Sequence, residues 1–578
     1  MKNCSILTIA ASVLVGGVRA APELARKAIH YTRSSDLRSS YDYIIAGGGT
    51  AGLTVADRLT ESGRYSVLVV EYGYFSDIPS SVLDPLNPID ASPDSLMYNI
   101  TSVGTVKQFS CTFFPPEPQL AADFEIKYDI ESAWGGTGPV LASYGHYQYP
   151  LTKVLLDGWR TLPGVEYPAD GSEGKAGVLW IPSSQDPKTQ TRSYARTAHY
   201  DRVQPRKNYA IITGHKVDKI NFARDRRSLT AISVKVSARG DNSSVSTITA
   251  RKEIILAAGA IHTPQILQRS GVGPQSVLKA AKIPMVLDLP GVGANFQDHS
   301  WFAMGIQFQT PVLPDRQSLV NNKTFAEWAL KLWQTNMTGP YSIRGGGGAL
   351  AQLGLPVIAP DVFSSIASDI ESQDAASLLP TNVDSTIVAG YRSQLKLMAK
   401  AARSKNTAWL QMGLGGNPFG SPDQWVFNIH PLSRGTVNVD PADPNGEPLV
   451  DYRMLSNPVD LRVAIALFRA VRNFFNSRGE VKRLSPLETK PGVNITSDAD
   501  IAKYLLTTLN PSQYHPVGTA AMLPLRLGGV VDDELKVYGV DGLSVVDASI
   551  IPLIPGGTTQ STVYAIGEKA SDLIKARA

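Results

Sequence analysis

Cysteine is nearly absent from this chain of 578 residues: only Cys4 and Cys111 occur. No internal disulfide remains once a leader carrying Cys4 is removed, and a chain of this size can bury enough surface to do without one. Histidines number eight and are scattered. With no H-x-x-x-H or C-x-x-C spacing, no metal site is expected. No Lys/Arg block occurs, and 55 basic against 51 acidic residues leave a formal charge of +4, which is no footprint for nucleic acid. No stretch reaches the roughly 18 uninterrupted apolar residues of a membrane helix. A G-x-S-x-G nucleophile elbow is also missing, which argues against a hydrolase of that kind.

What is present is a globular composition. Hydrophobic residues make up 43% and charged residues 18%, enough for a packed core and against global disorder. The length predicts roughly two to four domains, or two large interleaved ones. The 49 glycines and 39 prolines fit a loop-rich enzyme better than a helical bundle.

Residues 1–20 read as a secretory signal: Lys2 is the positive start, Ile6 to Val15 the apolar run, and Val18-Arg19-Ala20 a small-residue cleavage site. Sequons at Asn99, Asn242, Asn322, Asn336 and Asn494 add the expectation of a glycosylated chain, secreted or in the lumen of the secretory pathway.

Residues 22–40 are polar and basic, and a poorly ordered lead-in is expected there. Tyr41 to Ala46 is a strand-type apolar run ending in glycines. A helix is predicted from Ala51 to Glu61, with Leu53, Val55, Ala56 and Leu59 on its apolar side. Ser66 to Val70 is a second buried-type strand, so the chain opens as a βαβ unit, which implies an α/β fold with a parallel sheet. Residues 79–116 read as long loop. Further on, a strand is predicted from Glu253 to Ala257 and a helix from Pro264 to Arg269. Strands are also predicted at Gln424–Asn428, Gly435–Val439 and Leu543–Val546, with a last helix from Ser561 to Ala576. Gly345 to Gly348 reads as a flexible turn.

Gly47, Gly49 and Gly52 form G-x-G-x-x-G between the first strand and the helix. In that motif the first glycine allows the tight turn, the second lets a pyrophosphate approach the backbone, and the third permits close helix–strand packing. The helix N-terminus offers free N–H groups to phosphates. Glu71 ends the second strand, about 20 residues on, where a carboxylate can accept from an adenosine ribose. An acid there favours FAD or NAD over NADP.

Longer segments choose between them. Gly259 to Gly273 (GAIHTPQILQRSGVG), Leu289 to His299 (LPGVGANFQDH), Tyr514 to Thr519 (YHPVGT) and Val545 to Ser549 (VVDAS) resemble signature segments of the glucose–methanol–choline (GMC) oxidoreductases. The resemblance runs from about Tyr41 to Lys575. With the signal and sequons it points to the secreted fungal branch that includes aryl-alcohol-type oxidases, patulin synthase and versicolorin B synthase. It implies a Rossmann-type FAD-binding domain (41–299, with a C-terminal return at 511–578) interleaved with an α+β substrate domain (300–510). It also implies FAD as cofactor. Thr50 and Ala51 match positions near the pyrophosphate, and Glu71 and Tyr72 match positions near the ribose and adenine. Val217 matches a contact to adenine, and Asp547, Ala548 and Gln560 match positions beside the flavin.

Oxidising an alcohol by hydride transfer requires taking up the hydroxyl proton, a task suited to imidazole. His515, in a turn shaped by Pro516 and Gly518, matches the family's catalytic base. Its usual His or Asn partner falls at Thr558, whose hydroxyl can donate one hydrogen bond but cannot act as a second base near neutral pH. A slower or differently specific enzyme is expected. His299 is assigned a structural role, and His430 is placed on the wall of the substrate domain. Relatives also carry several dozen more residues, with a glycine-rich flavin-wrapping motif, where Gly104 to Cys111 bridges here; weaker FAD binding and a more open flavin face are expected.

The reaction this resemblance implies is FAD-dependent oxidation of a CH–OH group, with a role in making aromatic or polyketide secondary metabolites. Two alternatives stand beside it: a non-redox cyclase or dehydratase with structural FAD, and a catalytically silent binding protein. Trp301, Phe302, Trp328, Trp333 and Tyr341 leave room for an aromatic alcohol or for simple core packing. No motif selects the electron acceptor.

Overall fold

The computed structural model describes residues 28–75, 111–134, 136–203, 206–226, 228–343, 347–415 and 423–578. The signal segment, Asn99, Gly104 and most of the predicted long loop lie outside the described residues.

The predicted βαβ opening is built from strand Ser40–Ala46, helix Thr50–Thr60 and strand Val67–Val70. Both strands are apolar on both faces, with Ile44, Ile45, Val67, Leu68 and Val69 fully buried, as a parallel strand covered on two sides must be. Parallel pairing extends the sheet to Arg206–Ile212 on one side and Asp241–Leu256 on the other. Strands His215–Arg224 and Leu229–Ala238 complete an antiparallel flank. Leu543–Val545 returns from the far end of the chain to pair in parallel with Asp241–Leu256.

Two local expectations are corrected. The lead-in is ordered in part: Ala28–Tyr31 pairs with Arg206–Ile212 as an edge strand, its parallel ladder overriding a polar composition. Within the predicted loop, Cys111–Phe114 is a strand paired with Val140–Ser143.

The helix expected to start at Pro264 begins at Gly259. Proline has no N–H for the Ala260 carbonyl, and the Thr519 hydroxyl donates to that carbonyl instead, at 2.6 Å. A residue from the C-terminal return thus repairs the helix's missing bond.

A second, antiparallel sheet runs in the order Pro486–Lys490, Ser300–Phe308, Asp423–Asn428, Leu410–Gly413, Ala349–Leu353, Gly177–Trp180. Its last strand comes from well before residue 300. Helices Pro150–Arg160 and Pro458–Ser477 share its core, where Trp159 stacks on Phe474 with ring centroids 4.0 Å apart.

Candidate active site

The glycine turn is shaped by sterics at two positions. Gly47 has φ +110°, and a Cβ there would lie 2.3 Å from the Ala257 carbonyl oxygen; a Cβ on Gly52 would lie 2.0 Å from the Gly47 oxygen. These glycines let the strand ends and helix approach. Gly49 differs, because a Cβ there would meet nothing within 4 Å. It is the helix N-cap and has no side chain to satisfy the first-turn N–H groups, which leaves them for an anion.

Glu71 ties this turn to the next one. Its Oε2 accepts from the Gly48 N–H and its Oε1 from the Gly73 N–H, both at 2.6 Å. Each oxygen keeps a lone pair for a ribose hydroxyl.

From the other end of the chain, Asp547 reaches the helix Gly259–Arg269. Its Oδ2 accepts from the Gly259 N–H at 2.9 Å and the Thr263 hydroxyl at 2.6 Å, and its Oδ1 accepts from the Ser549 N–H at 2.8 Å. Burial raises its pKa, against these hydrogen bonds.

A cavity of about 430 Å³ runs along these elements. Of the residues predicted from sequence, Gly47, Gly49, Thr50, Ala51, Glu71, Tyr72, Val217, Asp547, Ala548, Gln560 and His515 line it. Gly52 does not, because it serves helix–strand contact. Thr558 does not line it either; its hydroxyl is buried with no partner among the described residues.

The lining fits FAD. An uncapped helix start opens on free space at Gly49, where a Cβ would meet nothing within 4 Å, a strand-end carboxylate, Glu71, lines the same cavity, and the Gln560 Oε1 is buried without a partner among the described residues.

His515 is 3% exposed, and burial lowers its pKa to about 4. Its Nδ1 lies 2.9 Å from the Nδ1 of His299. The Nε2 of His299 lies 3.1 Å from the Pro555 carbonyl, an acceptor only, so this nitrogen carries the proton. Burial drives His299 well below the ordinary imidazole range, with His515 and His430 nearby adding to the effect. A neutral His299 therefore has its lone pair on Nδ1, and His515 donates to it from Nδ1. That leaves the Nε2 of His515 as the basic nitrogen of its ring.

The structural role assigned to His299 is thus corrected: it sets the tautomer of the candidate base. Sequence reasoning missed the pair because the two residues are far apart in the chain and meet only on folding. The adjacent Asp298 was the one local signal. His430 does not line the cavity; its Nδ1 donates to the Ala408 carbonyl at 2.7 Å, and a Cβ on Gly556 would come within 2.9 Å of its ring. The turn it supports is also held by Asn295, whose amide donates to the Pro552 carbonyl at 3.0 Å.

The chain resembles known proteins along nearly its whole length. Two models described as GMC oxidoreductase match residues 122–301 and 431–567. Dehydrogenase xptC of Emericella nidulans is 33% identical, with 100% of this chain and 99% of the relative aligned. An FAD-dependent oxidoreductase from Chaetomium thermophilum, solved with a bound fragment, has a TM-score of 0.85 at 34% identity, covering 93% of this chain and 99% of that one. A fungal aryl-alcohol oxidase structure also gives 0.85, at 32% identity over 94% of this chain and 100% of the other. This chain belongs to the GMC oxidoreductases, an FAD-dependent enzyme family.

Proposed function

We propose that the chain oxidises the CH–OH group of a small alcohol, with His515 taking the hydroxyl proton on Nε2. The observation that supports this reading is the His299–His515 pair, in which His515 is a neutral imidazole with Nε2 as its basic nitrogen, on the wall of the cofactor cavity. When bound, FAD supplies the acceptor for the hydride. The Gly49 helix start and Glu71 would hold its diphosphate and ribose, with Asp547, Ala548 and Gln560 at the flavin end.

Burial of the ring matters for direction. A base with its pKa near 4 is neutral at any physiological pH and ready to accept. Its low basicity is offset only as the alcohol's hydride departs, so proton and hydride transfer are expected to be coupled. An aromatic or polyketide-derived alcohol is the proposed substrate class, supported by the resemblance to aryl-alcohol-type enzymes. Action outside the cell or in the secretory lumen belongs to the same proposal, supported by the leader pattern and by the exposure of Asn322, Asn336 and Asn494.

The test is turnover of benzylic alcohols by His515→Gln. Loss of the base is expected to lower kcat by about 10²–10⁴-fold with flavin still bound. A variant as fast as the parent would overturn the assignment.

A further inference from the structure

Two consecutive residues grip His515: His299 takes its ring and Asp298 takes its backbone. The Oδ1 of Asp298 accepts from the His515 N–H at 3.0 Å and the Gln513 N–H at 3.2 Å, and its Oδ2 accepts from the Ser512 hydroxyl at 2.6 Å. Between these anchors Tyr514 adopts φ +59°, a left-handed conformation unfavourable for a residue with a Cβ. Tyr514 is 60% exposed, so little packing on its outer side maintains that shape. From the other side the Trp301 indole donates to the Ser512 carbonyl at 2.9 Å.

We infer that Asp298 is a positioning residue for the base: as a carboxylate it holds the Ser512–His515 turn, and taking up a proton loosens that turn. The inference rests on the reading of His515 as the base. An ionised carboxylate is acceptor-only and serves these donors together with the His299 backbone N–H. Once protonated, Oδ2 becomes a donor and the Ser512 hydroxyl has to turn to accept from it, while the Gln513 and His515 N–H groups are left on a neutral and therefore weaker acceptor.

Burial raises Asp298 to about 6, while the bonds from Ser512, Gln513 and His515 pull it down. The groups facing it are His299 and His515, and, around a small shared cavity, Tyr452 and Asp460. No lysine or arginine lines that cavity among the described residues. The carboxylate is therefore stabilised by hydrogen bonds rather than by a cation, and its hold on the turn follows pH.

The experiment is hydrogen–deuterium exchange of the FAD-loaded, full-length protein from pH 8 to pH 5, corrected for intrinsic exchange. It reads the peptide carrying Gln513 and His515. Protection is expected to fall by about 10–100-fold as pH drops through about 6, the loss of hydrogen bonds to a charged acceptor. In Ser512→Ala, which removes one bond that favours the charged form, the fall moves to higher pH. In Asp298→Asn protection is independent of pH. A pH-independent wild type, or a Ser512→Ala midpoint that stays put, overturns the inference. Turnover of His515→Gln separates the two claims: if it matches the parent, the base assignment fails whatever the exchange shows.

Discussion

His299 and His515 meet Nδ1 to Nδ1 at 2.9 Å inside the protein, and the Pro555 carbonyl, by binding the far side of His299, decides which ring donates. A main-chain oxygen in the C-terminal turn thereby sets the protonation pattern of a residue it does not touch.

Removing this acceptor isolates its contribution. His299→Leu leaves a buried N–H on His515 without a partner, a loss of about 1–3 kcal/mol. Steady-state kinetics on a benzylic alcohol should show kcat lowered by roughly 10–100-fold with KM little changed. An unchanged kcat would mean that tautomer control is not needed.

Imidazole titration gives a second check. With ¹⁵N-labelled histidine, the signals of His299, His430 and His515 are expected to stay in the neutral pattern from about pH 8 to pH 5. His430 and His515 both lie at about 4 in the folded protein. The unfolded chain, with imidazoles near 6.5, therefore binds more protons between those values. Their contribution to stability is complete above about pH 6.5 and is lost as pH falls towards 4. Asp298, raised to about 6, and Asp460 and Asp547, also raised by burial, oppose this on acidification, whereas His299 and the lowered carboxyls of Asp42 and Asp57 add to the loss. A midpoint in urea that rises on acidification from pH 6.5 to 4.5 would contradict the assignment.

The glycines of the turn should separate by role. Gly52→Ala places a Cβ 2.0 Å from the Gly47 oxygen, and the overpacking is expected to cost about 1–3 kcal/mol of stability. Gly49→Ala has open space and should fold normally, yet bind FAD more weakly because its methyl stands where the backbone must be approached. Thermal melts and flavin titration of both variants distinguish these outcomes; equal melting temperatures would refute the division.

Glu71→Gln tests the ribose end. The carboxylate accepts from two backbone N–H groups, and an amide can accept on only one of its two termini. At about 1.5–3 kcal/mol for a hydrogen bond to a charged group, FAD affinity is expected to fall at least about tenfold. Equilibrium dialysis with FAD measures it, and unaltered affinity would remove Glu71 from the site.

How much of this was legible in the sequence depends on the range of each interaction. Gly47, Gly49, Gly52 and Glu71 announce themselves because turn sterics and a strand-end acid act within one βαβ unit. Helix Thr50–Thr60 lies within a residue of its expected bounds because its apolar stripe is local. The start of helix Gly259–Arg269 is not legible locally because its repair, the Thr519 hydroxyl, comes from the distant return. Ala28–Tyr31 looked like a polar lead-in because its partner strand supplies what its own composition does not. Asp298 and His299 were visible as a dipeptide, but their hold on the Ser512–His515 turn exists only after the two cores assemble. Thr558 was placed by resemblance alone, and the cavity wall does not include it.

The most direct measurement is an anaerobic visible spectrum of the purified, FAD-loaded chain before and after adding a benzylic alcohol. The expected result is a yellow protein whose flavin absorbance bleaches as the aldehyde forms, and whose His515→Gln variant stays yellow on the same timescale. A protein that refuses added FAD, or that forms product with its flavin still oxidised under anaerobic conditions, would contradict it.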